Sequence, residues 1–222
     1  MVQVEVWWST LVAAERDLLA LLDATERARV ESLERPADQG RSVVAAALLR
    51  VAVGERLGVP PREVLIDRTC AECGEPHGRP RVLGPGDAPP EVSVSHSGLL
   101  VVVALSDGDP VGVDVQRVAD LVDLAGLSEV GDTVEPAADE RAPSVDERVP
   151  SDDGRARSWV RHEAVLKVGA HPSSPAPAVR LIPTPLDGYV AAVATLTDEA
   201  PTDAELLVRH WPVRAASATP GR

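Results

Sequence analysis

The chain has no phenylalanine, one tyrosine and one methionine in 222 residues. Its core therefore cannot rest on aromatic rings and must be aliphatic, built from valine-rich strands and Ala/Leu helices. No run of eighteen apolar residues exists, so no membrane-spanning helix is expected, and the N-terminus lacks a basic region followed by an apolar one. The cytoplasm is the expected compartment. Two cysteines, Cys70 and Cys73, are too few for a disulfide framework. With His77 they offer three zinc ligands, but no fourth is apparent and no second C-x-x-C exists, so free thiols in a turn are the expectation. A formal net charge of −13 argues against nucleic-acid binding, which demands a basic face. Any anionic ligand needs a local basic pocket. Lysine is the scarcest charge: Lys167 is the sole one, and all other basic residues except the histidines are arginine. That usage points to a position requiring a compact, mobile ammonium.

Val2 to Trp8 alternates apolar and polar residues, the period of a half-buried strand. Leu11, Ala14, Leu18, Leu19 and Leu22 recur at helical spacing. Asp23 with Glu26 reads as a capping box opening a second helix to about Leu33. A third helix runs from about Ala37 to Leu57, stopped by Gly58 and Pro60-Pro61, and carries Arg41, Ser42 and Arg50. Arg50 is expected to be a structural pair-former. The strongest β signal follows: Val92 and Val94 alternate with serines, Leu99 to Leu105 is an apolar run, and Val111, Val113 and Val115 alternate with Gly112, Asp114 and Gln116. A three-stranded meander is predicted, with Asp114 in mid-strand needing a partner. A short helix near Leu121 to Ser128 and a solvated acidic loop at about 130–157 come next. A helix to about Gly169 follows, with closing strands at Gly188–Thr197 and Glu205–Val213. The fold class expected is α+β, two similar α/β lobes related by pseudo-two-fold symmetry, divided at 1–108 and 109–222.

Three short stretches carry chemistry. Trp159, Glu163 and Lys167 fall at i, i+4 and i+8 on one helix stripe. Upstream stand Val94-Ser95-His96-Ser97-Gly98 and Gly112-Val113-Asp114-Val115-Gln116. With these in order, the chain resembles the Sfp-type 4′-phosphopantetheinyl transferases, whose marks are a Ser-His-Ser-type turn, a G-(I/V)-D-(I/V)-E strand and a W-x-x-K-E-A-x-x-K helix. The resemblance covers roughly residues 37 to 170, including Gly78-Arg79-Pro80. It implies transfer of phosphopantetheine from coenzyme A to a serine of an acyl or peptidyl carrier protein, with Mg²⁺ as cofactor and a monomeric enzyme. Asp114 and Glu163 would hold the ion beside Gln116, an ion that keeps several waters. Lys167 would supply charge to the pyrophosphate, and Glu163, or a water it orients, would remove the serine proton. His96, Ser42, Arg41 and Arg79 would serve the nucleotide end, with Ser95, Pro80 and His162 beside them.

Two positions depart from the family's pattern. Gln116 stands where Glu is common, which weakens one ligand position. His162 stands where Lys is usual and removes a permanent charge. These departures keep two other classes in view: a catalytically impaired coenzyme-A-binding protein, and an acidic interaction module.

Overall fold

Strand β1 (Val4–Thr10) is buried on both faces, and the two layers it separates define the architecture. The structure, a computed structural model, describes residues 3–84, 89–125, 152–169, 174, 176–197 and 200–212; for 122–125 it describes the backbone alone. β1 lies between β5 (Leu100–Ser106), antiparallel, and β9 (Leu206–His210), parallel, in a sheet of order β4-β5-β1-β9, with β4 at Glu91–Ser97. Trp7 packs toward helix α2 (Pro36–Leu57), against Val44, Leu48 and Leu49. Val4, Val6 and Trp8 pack toward a second sheet through Val111, Val113 and Val115. The alternation predicts one wet face. Instead Glu5 is buried, accepting from Trp7 Nε1 at 3.2 Å and Arg56 Nη1 at 3.3 Å, which satisfies it without water.

The helix predicted over residues 11–22 is replaced by two 3₁₀ segments, Leu11–Ala13 and Arg16–Leu21, neither with a side-chain cap. A 3₁₀ turn rises about 2.0 Å per residue against about 1.5 Å in an α-helix, so few residues carry the chain from β1 to the next helix. Helix α1 (Ala24–Glu31) opens on the expected capping box between Asp23 and Glu26. The same two carboxylates accept from Arg50 of α2, at 2.7 Å each, while its third donor reaches the Val64 carbonyl oxygen. Arg50 is 2 % exposed, so this network pins α1 to α2. α2 begins with Pro36 in its first turn and ends at Gly58, whose φ of 68° is the left-handed cap the sequence predicts.

The predicted meander does not form. β4 and β5 make a hairpin, but β6 (Val111–Arg117) pairs with β8 (Tyr189–Thr195) in a second sheet of order β6-β8-β7, with β7 at Ala178–Ile182. β5 has β4 on one edge and β1 on the other, so no edge remains for β6. β6 instead runs beside β4 through side chains. The Ser93, Ser95 and Ser97 hydroxyl oxygens accept from the backbone N–H groups of Val113, Val115 and Arg117 at 3.0, 3.3 and 3.0 Å. Each such bond contributes about 1 kcal/mol and leaves no amide of that face unpaired.

Between β6 and β7 lie α3 (Val118–Ala125) and α4 (Asp152–Val168). The expected acidic loop lies outside the described residues up to 151; from Asp152 the chain is helical. Ala156, Val160, Ala164 and Val168 recur every fourth residue and bury one stripe of α4 against Val190, Ala192 and Ala194. The approach to β6 is so close that a Cβ on Gly112 would overlap the Ala164 carbonyl oxygen and sit 2.9 Å from Val168 N. β8 and β9, predicted as a closing pair, belong to different sheets, β9 returning to β1. The mixed α+β class agrees with the prediction; four strands against three, with the last crossing back, do not by themselves relate two halves by a two-fold. Among the described residues no helix is long and apolar enough to cross a membrane.

Gly112→Ala tests this packing. The methyl group has no room without displacing α4, so urea unfolding should show a loss of at least ~2 kcal/mol. An unchanged midpoint would mean α4 sits further from β6 than described.

Candidate active site

The seam between β4 and β6 opens into a cavity of about 310 Å³. Each wall has a separate structural reason for facing it. On β6, Val113 and Val115 take the core side, which turns Asp114 and Gln116 the other way. On α4, burial of the alanine stripe leaves the neighbouring stripe, Glu163 and Lys167, along the cavity. On α2, Ser42, Ala45 and Ala46 form a shallow floor whose small side chains leave space. β4 contributes Ser95 and His96, and the loop between β2 (Leu65–Asp67) and β3 (Arg81–Leu83), which form a separate two-stranded sheet, contributes Arg68 and Pro80.

Asp114 is the most constrained group. It is 1 % exposed, and its Oδ1 accepts from Ser95 Oγ at 2.7 Å and Lys167 Nζ at 2.6 Å, while Oδ2 accepts from Gln116 Nε2 at 3.2 Å. Lys167 Nζ also donates to the Val113 carbonyl oxygen at 3.3 Å. A buried carboxylate with three donors is stable in mid-strand, as its sequence context requires. Glu163 is half-buried and makes no hydrogen bond or ion pair with a described residue, which leaves both of its oxygens available. Gln116 donates its amide nitrogen and keeps its amide oxygen. Asp114, Glu163 and Gln116 therefore bring an all-oxygen donor set to one cavity, the chemistry a hard divalent cation takes.

Arg68 and Arg29 also line the cavity, with Glu26, and their guanidinium groups make no hydrogen bond or ion pair with a described residue. Burial, and then the neighbouring Arg29, hold Arg68 below the ordinary guanidinium range, although it stays charged. Two unpaired guanidiniums facing one space favour an anion between them. Sequence reasoning missed both. Arg29 is three residues after Glu26, so the capping box that fixes Glu26 also sets the face Arg29 takes, a signal the sequence does contain. Arg68 sits in a turn-rich segment with no periodicity to read.

His96 keeps an exposed face at the cavity wall, yet partial burial, and then the Arg41 guanidinium, push its imidazole below the ordinary value. Lys167 acts in the same direction and Asp38 against it. Arg41 does not line the cavity. It donates to the Gly98 carbonyl oxygen at 3.0 Å and pairs with Asp38. Arg79 is likewise engaged elsewhere, donating to the Val168 carbonyl oxygen at 2.5 Å, Glu91 at 3.0 Å and the Val111 carbonyl oxygen at 3.2 Å. It clasps the end of α4 to the start of β6. His162 is exposed and outside the cavity wall, and Trp159 is 46 % exposed. The structure thus brings together Ser42, Pro80, Ser95, His96, Asp114, Gln116, Glu163 and Lys167, and leaves Arg41, Arg79 and His162 outside.

No family model matches the chain. Among curated proteins it is 29 % identical over 118 residues to one from Synechocystis sp. (strain ATCC 27184 / PCC 6803 / Kazusa) named "Putative 4'-phosphopantetheinyl transferase slr0495", covering 51 % of this chain and 44 % of that protein. It is 31 % identical over 120 residues to a protein from Thraustochytrium sp. (strain ATCC 26185 / S-3) named "Phosphopantetheinyl transferase", covering 51 % of this chain and 40 % of that protein. The chain thus spans less than half the length of these relatives. Both relatives carry phosphopantetheinyl transferase in their names, and each is similar to about half of this chain.

Lys167→Met tests the central ion pair. It removes the ammonium from a carboxylate that is 1 % exposed, so chemical denaturation should show a loss of about 1–3 kcal/mol, discounted because Lys167 is partly exposed. Asp114→Asn in the same chain should recover part of that loss. If the two losses simply add, the pair is not coupled.

Proposed function

We propose that the protein transfers the 4′-phosphopantetheine group of coenzyme A to a serine of an apo acyl or peptidyl carrier protein, giving the holo carrier and 3′,5′-ADP. One observation carries this reading: an oxygen-donor set (Asp114, Glu163, Gln116) and a cationic set (Arg29, Arg68, Lys167) occupy one cavity. That pairing suits a pyrophosphate and a divalent ion better than any neutral ligand.

The cavity residues divide the work. Arg68 and Arg29 take the terminal phosphate, with Ser42 and His96 beside the nucleotide. Lys167 is held by Asp114 at the point where the pyrophosphate would lie. Asp114, Glu163 and Gln116 would hold Mg²⁺, which supplies charge neutralisation to the pyrophosphate when bound. The serine oxygen of the carrier forms a bond to the β-phosphorus, the bond from that phosphorus to the bridging oxygen breaks, and 3′,5′-ADP leaves with the electron pair. Glu163, directly or through a water, accepts the serine proton. Glu163 makes no hydrogen bond or ion pair with a described residue, so one of its oxygens can serve the ion and the other the proton.

Mass spectrometry of a panel of apo carriers incubated with coenzyme A and Mg²⁺ tests the assignment; no carrier gaining the phosphopantetheine mass would end it. Asp114→Ala and Glu163→Ala should each reduce transfer at least ~10²-fold, a loss of about 2.7 kcal/mol in transition-state stabilisation. Gln116→Ala should cost far less, and Gln116→Glu should lower the Mg²⁺ concentration giving half-maximal rate.

A second test concerns His96. Its lowered value keeps it neutral near pH 7 in the free protein. A bound phosphate raises the value again, so coenzyme A affinity should strengthen as pH falls from about 8 to 6, with proton uptake on binding. Calorimetry in buffers of different ionisation enthalpy should show that uptake in the parent and its loss in His96→Gln. The same profile in both proteins would remove His96 from the anion site.

A further inference from the structure

Outside the cavity, one cluster of chemically soft side chains is unaccounted for. Cys70, Cys73 and His77 place one ligand atom each within 4.8 Å of one another, and Cys73 Sγ lies 3.0 Å from His77 Nε2. Among the described residues this is the one group of three or more His, Cys, Asp or Glu side chains so arranged.

The backbone around it has the form of a ligand-holding turn. Gly74 N donates to the Cys70 carbonyl oxygen at 2.9 Å, and Gly74 takes φ of 79°, open to glycine and strained for other residues. Cys70 N donates to Glu75 O at 2.8 Å, and Gly78 N to Arg68 O at 2.7 Å, closing the loop at its base. A Cβ on Gly78 would lie 2.8 Å from Thr69 O, so the strands of the loop approach as closely as backbone allows.

We propose that Cys70, Cys73 and His77 bind a zinc ion through two thiolates and the His77 Nε2, with water or an exogenous ligand completing the tetrahedron. Thiolate with imidazole selects zinc over hard cations such as Mg²⁺. Bond lengths near 2.3 Å to sulfur and 2.0 Å to nitrogen separate adjacent ligand atoms by roughly 3.5 Å in a tetrahedron, so Cys73 and His77 need move only by about half an ångström to admit the ion. Three protein ligands on the surface give an exchangeable site. The ion fixes the loop from Arg68 to Gly78, and that loop leads into Pro80 of the cavity. The inference rests on the loop alone and stands or falls independently of the transfer reaction.

The test uses the full chain, reduced and stripped of metal. Titration with Zn²⁺, followed by native mass spectrometry, should give one ion per chain. Co²⁺ in its place should show tetrahedral d–d bands with a thiolate charge-transfer band. Both should be lost in Cys73→Ser and at least ~10-fold weakened in His77→Ala, with far-ultraviolet circular dichroism confirming that each variant is folded. Zinc should also slow amide exchange over residues 68–78 in the parent. No bound zinc in the reduced parent would overturn the proposal, as would cobalt spectra without the thiolate band. So would a parent that, isolated under air, resists zinc because Cys70 and Cys73 have formed a disulfide and still resists it after reduction.

Discussion

Asp114 is a carboxylate with 1 % exposure in the middle of a strand, and the rest of the site depends on how that charge is stabilised. An isolated carboxylate there would cost several kcal/mol, so the donors around it must be in place for the fold to hold. They come from three elements: Ser95 on β4, Lys167 on α4 and Gln116 on β6 itself. Holding Asp114 therefore fixes the edge of the first sheet, the helix over the second sheet and the strand between them. The cavity exists where those three meet.

The approach of these elements follows from small side chains. Serine at alternate positions of β4 is short enough to let β6 come within hydrogen-bond reach, and each hydroxyl accepts from one β6 amide. Ser95 does two jobs at once, accepting from Val115 N and donating to Asp114. A methyl group at that position would leave Val115 N unpaired and Asp114 short of a donor. Gly112 performs the matching function for α4. Glycine and serine in these motifs are thus packing requirements before they are chemical ones.

Local rules recovered whatever depends on neighbours in sequence. The Asp23–Glu26 box, the start of α2 near Ala37 and its stop at Gly58, and the turn of Asp114 away from the valine face all rest on neighbouring residues or on strand alternation. What escaped depends on competition between distant strands. Val92 to Gln116 reads as a meander because each turn is tight, and nothing local reveals that β1 already occupies the second edge of β5. The return of β9 to β1 is equally nonlocal. The motif residues behaved differently according to chemistry: Asp114, Glu163 and Lys167 converge, while Arg79, assigned to the nucleotide by resemblance, is engaged by two carbonyl oxygens and Glu91. Arginine has donors enough for several structural partners, so an arginine in a motif is a weaker pointer to a ligand than a carboxylate turned from a valine face.

The single lysine in a chain otherwise using arginine has a geometric reason. Lys167 Nζ carries three protons, of which one goes to Asp114 Oδ1 and one to the Val113 carbonyl oxygen. The third is left toward the cavity that Lys167 lines. A guanidinium at the same place would match both oxygens of Asp114 in a planar fork. It would displace Gln116 from Oδ2 and hold the carboxylate in one rigid pair, closing it to a cation. An ammonium is a point charge on a flexible stem and can move from the carboxylate to a phosphate oxygen within a short arc. Because Asp114 is buried and Lys167 is not, the ammonium is the partner free to move, and under the proposed function an incoming anion with its cation would replace the ion pair without unsealing the strand.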